Sequence, residues 1–324
     1  MQVRTENNRE LTAFESDVLT GFSSTPKHLP SKYFYDDEGS RLFQEIMHLP
    51  EYYLTRAEYE ILETHTAAIL ARFLDKKKAF NLIELGAGDG LKTKLLLKYF
   101  VAQKVDFRYA PIDISAEALQ QLTQNVTTHL PTLKVQPIEG DYFTALRQVK
   151  VQEGARNVVL FLGSNIGNFS YQASIDFLSQ LKASLQPNDL LLLGFDLKKH
   201  PQIILNAYND ASGVTRAFNL NLLKRLNQTL DANFDLRQFD HYPTYDPHSG
   251  EARSYLVSKI AQEVHLKEVD ETVVFQAGET IHTEISRKYT EEEMKGIAQK
   301  AGFEWVKSFT DSNCYFVDAV FRVV

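Results

Sequence analysis

The sequence predicts an α/β protein: a doubly wound, mostly parallel sheet to which a second, α+β lobe is attached. Between residues 80 and 200, short apolar runs alternate with stretches that carry apolar residues at i, i+3, i+4 spacing. The runs are mostly continuous rather than alternating, as in strands covered on both faces. Parallel neighbours cannot be joined by tight turns, so strands separated by helical crossovers imply a parallel sheet with helices on its faces. A length of 324 residues fits about two domains.

In chain order, residues 1–60 read as helical and aromatic-rich, with no strand signal before Phe80. FNLIELGA (80–87) is the first strand and GLKTKLLLKYF the helix after it. FRYAPIDIS (107–115) follows, and Ser115 caps the helix SAEALQQLTQNV. LKVQPIEGD (133–141) is the third strand and NVVLFLGS (157–164) the fourth. YQASIDFLSQLKASL is a helix closed by Pro187-Asn188, and DLLLLGFDL (189–197) the fifth strand. Residues 200–230 read as two helices, and 234–286 as turn-rich sequence with alternating segments such as SYLVSKIAQEVHL. Thr290 and Glu293 form a capping box before a last helix, and CYFVDAVFRVV is a final strand. The economical division is a core of 61–196 plus 287–324 and a second lobe of 1–60 plus 197–286. The basic triplet Lys76–Lys78 reads as a solvated turn.

Lys+Arg of 35 against Asp+Glu of 42 gives a net charge of -7, so no basic footprint for nucleic acid or anionic lipid is present. The single cysteine, Cys314, excludes an internal disulfide and every multi-cysteine zinc pattern. The first residues are polar, and no apolar run approaches the roughly 20 residues that span a bilayer. A cytoplasmic protein is expected. No metal site is expected either: His241 and His248 have no third ligand nearby, and there is no H-E-x-x-H. Ser164 in FLGSNIGN is the second rather than the third residue of a G-x-S-x-G frame, so a nucleophile elbow is not indicated. The sequence carries no signal for a particular oligomeric state.

One segment does carry chemistry. Glu84-Leu-Gly86-Ala-Gly88-Asp-Gly90 follows the first strand and opens a helix. Glycines there allow a tight turn and a close approach of backbone N–H groups to a ligand. The spacing is G-x-G-x-G, whereas dinucleotide binders use G-x-G-x-x-G. An acid before the first glycine suits a cofactor with a cationic end. S-adenosylmethionine, with its sulfonium, ammonium and carboxylate, is such a molecule. Asp113 ends the second strand, where a carboxylate can accept from both ribose hydroxyls. Asp141 ends the third, within reach of an adenine amino group, and Tyr142 beside it offers a ring-packing surface. Lys92 and Thr93, in the first helical turn, are candidates to hold the cofactor carboxylate. A nicotinamide dehydrogenase fits the glycine spacing less well.

Along nearly its whole length the sequence resembles the histidine-specific Nα-methyltransferases of ergothioneine biosynthesis. The resemblance rests on LPSKYFYDDEGSRLFQEIMHLPEYYLTRAE (29–58), IELGAGDGLKT (83–93), VVLFLGSNIGN (158–168), AYNDASGVTRAFN (207–219) and AGETIHTEISRKY (277–289). It implies a Rossmann-like class I methyltransferase core with a substrate-binding lobe. It also implies S-adenosylmethionine as methyl donor, S-adenosylhomocysteine as product, and free L-histidine as acceptor, trimethylated to hercynine. Position by position it places the amino-acid pocket at Tyr35, Tyr52, Gly163, Asn168, Tyr208, Glu284 and Ser286. Tyr52, Tyr208 and Asn168 would hold the carboxylate end, and the Gly163 carbonyl would face the amine. Tyr35 would lie near that amine, and Glu284 and Ser286 would hydrogen-bond the imidazole. Tyr35, Gly163 and Asn168 are thereby the candidate catalytic positions.

The residue types suit these roles. Phenol and amide donors can satisfy a carboxylate where no Arg fork is present. Imidazole offers two ring nitrogens, matched by a carboxylate and a hydroxyl two residues apart on one strand face. The amine needs chiefly a neutral lone pair and alignment with the methyl group. Each of these tyrosines also suits a half-buried core position, and Glu284 and Ser286 alternate about Ile285 as in any half-exposed strand. Ser254, in RSYL (253–256), stands where a member of that family carries an apolar residue facing the ring, which loosens the expected ring pocket. Two other outcomes stay open: an N-methyltransferase for another small amino acid or amine, and a non-catalytic cofactor-binding regulator.

Overall fold

A computed structural model describes residues 9–74, 79–149 and 154–324. The triplet Lys76–Lys78 lies outside the described residues. The chain divides into two compact units, Leu54–Lys198 with Arg287–Val324, and the N-terminal residues through Tyr53 with Lys199–Ser286. The first break comes earlier than residue 60, because the helix Tyr53–Phe73 is continuous and belongs almost wholly with the first of these units.

That unit is a doubly wound α/β structure. Phe80–Leu85 lies at the centre, flanked in parallel by Phe107–Asp113 on one side and Arg156–Phe161 on the other. Leu190–Asp196 continues the parallel set. Phe316–Val323 and Phe303–Thr310 close that edge as an antiparallel pair. Every residue of Phe80–Leu85 and of Leu190–Asp196 is buried, the physical reason their runs are continuous. The strand Phe303–Thr310 was not apparent in the sequence, where its apolar residues are interrupted by charges that face solvent.

The expected third strand exists only as two short pieces, Lys134–Val135 and Ile138–Glu139, both paired with Phe107–Asp113. Pro137 between them has no N–H for the ladder. Ser115 caps the helix Ala116–His129 by accepting from the Ala118 N–H at 3.2 Å. The helix Tyr171–Ala183 ends before Pro187, at Ser184. The Thr290–Glu293 capping box forms as expected.

The other unit is α+β. A sheet orders Lys27–His28, Thr280–Arg287, Glu251–Ser258 and Phe239–Asp246, while Gln262–Leu266 and Glu271–Phe275 form a separate antiparallel pair. SYLVSKIAQEVHL is therefore two strands parted by a turn at 259–261. Lys27–His28 is a strand where none was expected; it pairs in parallel with Ile281–His282 and is too short to show a period. The helices Ala13–Ser23, Asp37–His48, Pro201–Ala207 and Val214–Thr229 accompany the sheet. Phe34 stacks on Phe218 at 4.6 Å in a core that includes Val18, Phe22, Leu222 and Phe239.

Candidate active site

In an open α/β sheet the ligand crevice lies outside the carboxyl ends of the strands, where the strand order reverses. Phe80–Leu85 ends at that point, and its loop runs through three left-handed glycines: Gly86 at φ +68°, Gly88 at +52° and Gly90 at +63°. A side chain at Gly90 would overlap Leu122 of the next crossover helix. A Cβ at Gly86 would lie 3.1 Å from the Tyr142 hydroxyl and 3.3 Å from Asn165 Nδ2, whereas at Gly88 nothing comes within 4 Å. The middle of the loop thus presents bare backbone to its surroundings.

Asp113 fastens this loop. Its Oδ2 accepts the Gly88 N–H at 2.8 Å and its Oδ1 the Ser115 N–H at 3.0 Å. A carboxylate has about four acceptor positions, so each oxygen can still accept a ribose hydroxyl. Asp141 is exposed and caps the short helix Tyr142–Leu146; hydrogen bonds from the Thr144 side chain and, at 3.0 Å, from its N–H hold the carboxyl below the usual range. Tyr142 packs edge-on against Phe161 and Phe177, and burial pushes its phenol upward. Ile114, 51% exposed immediately after Asp113, adds an apolar surface for a flat ring. The sequence had no way to show that this one apolar side chain faces outward.

Glu84 and Lys92 are engaged within the protein. Glu84 is buried beneath the loop, where its carboxyl accepts from the Thr93 hydroxyl and the Tyr109 phenol. Burial raises it to about 7. It joins the central strand to the helix Thr93–Ala102 and to the neighbouring strand. The Lys92 ammonium pairs with Glu58, on the helix Tyr53–Phe73.

The strand Arg156–Phe161 leads into a second turn with two left-handed residues, Gly163 at φ +75° and Ser164 at +55°. Ser164 is buried and accepts the Asp196 N–H at 2.9 Å, which gives it a structural task. Gly163 donates its N–H to Glu58 Oε1 at 2.7 Å. Asn168 ends the 3-10 turn Asn165–Asn168. A Cβ at Gly163 would lie 3.7 Å from the Asn165 amide, the same amide that borders Gly86. Asn165 thus borders both turns, a position the sequence did not single out; within SNIGN nothing distinguishes it from a turn asparagine.

The other unit gathers the remaining candidates. Tyr35 and Tyr52 both pack edge-on against Phe43, with centroids at 5.6 and 6.2 Å. Tyr208, at the end of the helix Pro201–Ala207, donates to Ser286 Oγ at 2.7 Å. The Tyr208 carbonyl lies 2.9 Å from His241 Nε2. Glu284 and Ser286 share one face of the strand Thr280–Arg287, and the buried Ser254 hydroxyl lies 3.4 Å from Glu284 Oε2. Among the described residues no cluster of His, Cys, Asp or Glu could hold a metal, and no helix is long and apolar enough to cross a membrane.

Residues 14–323 match the model of a family described as histidine-specific methyltransferase, SAM-dependent. The chain belongs to this family. This methyltransferase is 38% identical over 299 residues to the histidine N-alpha-methyltransferase of Mycolicibacterium smegmatis, covering 92% of this chain and 91% of that one. It is 35% identical to the protein of the same name from Mycobacterium tuberculosis, with the same coverage. It is 32% identical to ergothioneine biosynthesis protein 1 of Schizosaccharomyces pombe, over 87% of this chain and 37% of that longer protein.

The residues at the glycine loop fit S-adenosylmethionine. Gly88 leaves room against open backbone, Asp113 has acceptor capacity for a ribose, and Ile114 and Tyr142 offer ring surfaces. Bound there, S-adenosylmethionine supplies a methyl group activated on a sulfonium.

Proposed function

We propose that this methyltransferase acts on the α-amine of free L-histidine, in three successive transfers that give Nα,Nα,Nα-trimethyl-L-histidine, hercynine. Glu84, Gly86, Gly88, Gly90, Lys92, Asp113, Asp141 and Tyr142 form the proposed donor site, with Asp113 the ribose ligand. Lys92 would serve there through its charge while paired to Glu58. Glu84 would serve from below, by holding the loop's strand to its helix. The carbonyl of Gly163 and the amide of Asn168 would take the acceptor's amine and carboxylate, and Tyr35 would lie beside the amine. Tyr52 and Tyr208 would complete the carboxylate end.

The observation that carries the histidine assignment is the strand Thr280–Arg287. Its one face offers a carboxylate held by Ser254 and a hydroxyl held by Tyr208. A hydroxyl accepts on one side and donates on the other, so Ser286 can serve a basic ring nitrogen while Glu284 accepts from a protonated one. That is the hydrogen-bonding pattern of imidazole. The relatives bearing the histidine name support the same acceptor. A small-molecule partner also agrees with a net charge of -7, and a cytoplasmic setting with a single thiol.

Mass spectrometry of histidine incubated with enzyme and S-adenosylmethionine should show one, two and then three added methyl groups. Absence of all three, with cofactor binding intact, would falsify the assignment. One observation favours a second acceptor class. Ser254 is small, buried and 3.4 Å from Glu284 Oε2, a polar group beside the proposed ring position that would suit a ring other than imidazole. Competition among free amino acids separates the two: histidine should be consumed first, and a preference for another aromatic amino acid would support the second.

A further inference from the structure

Asp318, on the strand Phe316–Val323, is fully buried, and neither of its carboxyl oxygens accepts a hydrogen bond from a donor among the described residues. Such a group is costly unless something nearby answers it. Its register partner is Gly194, a break in the otherwise side-chain-bearing strand Leu190–Asp196. A Cβ at Gly194 would lie 3.2 Å from Asp318 Oδ1 and 2.5 Å from Glu58 Oε1. The missing side chain therefore makes room for two carboxyl groups to approach each other.

Glu58 reaches from this point in two directions. Oε1 accepts the Gly163 N–H at 2.7 Å, and Oε2 pairs with the Lys92 ammonium. Lys92 immediately precedes the helix Thr93–Ala102 that follows the glycine loop. One fully buried carboxylate thus ties the donor loop's helix to the turn that carries Gly163 and Asn168, within a single unit. One ammonium cannot balance two adjacent buried carboxylates. Burial and the neighbouring Glu58 hold Asp318 well above the usual carboxylate range, so it remains a neutral acid able to donate toward Glu58. Burial works against the Lys92 charge, but the attraction of Glu58 outweighs it.

We propose that Glu58 is a positioning residue that sets the Gly163 turn against the glycine loop, with Lys92 and Asp318 locking its carboxylate in place. In this role Glu58 acts through Gly163 and Lys92 and not by contact with cofactor or acceptor. The assignment rests on the proposal that the Gly163 carbonyl takes the acceptor amine.

The test combines two Glu58 variants with a spectroscopic readout that needs no acceptor. Glu58→Ala is expected to lower kcat about 100-fold, the scale of a misplacement near 1 Å. Calorimetric affinity for S-adenosylhomocysteine should change by less than about threefold, well under 1.4 kcal/mol. Glu58→Gln, whose amide oxygen still accepts from Gly163, should recover about tenfold of the lost kcat. Equal losses in both variants, or a kcat within about twofold of wild type in Glu58→Ala, would overturn the role. Infrared spectra with isotope-labelled aspartate should show a protonated carboxyl at neutral pH that disappears in Asp318→Asn. Lack of that band overturns the part given to Asp318, even if Glu58→Ala fails to fold. Because the band is read on the enzyme alone, a wrong choice of amino-acid acceptor would leave it in place.

Discussion

The proposed donor loop and the proposed acceptor residues are built by different means. At the loop the backbone is the instrument: three left-handed glycines, one of them open to its surroundings, and an aspartate fastened to two backbone N–H groups. Among the proposed acceptor residues the groups are side chains that hold one another, Tyr208 on Ser286 and Ser254 by Glu284. A backbone site fails through conformation and takes the fold with it, whereas a side-chain site loses individual contacts. Substitutions in the first should therefore register as stability, and in the second as selectivity.

The largest effect is expected from Gly90→Val. It combines a left-handed backbone angle with overlap on Leu122 and should lower unfolding free energy by about 3 kcal/mol or more in urea titrations. A loss below about 1 kcal/mol would show that the loop can yield.

Glu84 gives the next effect, and it depends on pH. The unfolded carboxyl releases its proton near 4.5 and the buried one at about 7. Between those values the folded state keeps a proton that the unfolded state has lost, so stability falls as pH rises through the window and levels off above it. Glu84→Gln removes the cost, so its stability relative to wild type should climb between about pH 5 and 8 by up to about 3 kcal/mol. A difference that stays flat across that range contradicts a buried, titrating Glu84.

Glu284→Ala should cost the enzyme about 100-fold in kcat/KM for histidine, the scale of a lost hydrogen bond to a charged group, and leave S-adenosylhomocysteine affinity unchanged. Parallel losses would instead place Glu284 in the scaffold. The smallest effect belongs to Ser254→Ala, which removes only a long 3.4 Å contact and should change histidine kcat/KM by about twofold. A tenfold change would make Ser254 a principal determinant of ring choice.

The same contrast governs what the sequence could reveal. Phe80–Leu85 and Leu190–Asp196 are buried on both faces, so their continuous apolar runs spelled out the parallel sheet. The glycine spacing was legible because left-handed turns restrict residue type. Lys27–His28 was illegible, since its partners Ile281–His282 lie far along the chain and two residues show no period. The depth of Glu84 was hidden for a related reason: where both faces are covered, alternation no longer separates inside from outside. Glu58 lies 34 residues from Lys92 and 105 from Gly163, so no local pattern could link them. The proposed acceptor residues stood out only through their likeness to a family, because tyrosines and an E-x-S strand are common in any core.

Asp113 has one more consequence. Its side chain is held at both oxygens, by the N–H groups of Gly88 and Ser115. As the proposed ribose ligand it is ordered by these backbone bonds alone, so cofactor association should carry little of the conformational-entropy cost that immobilising a loose carboxylate would add.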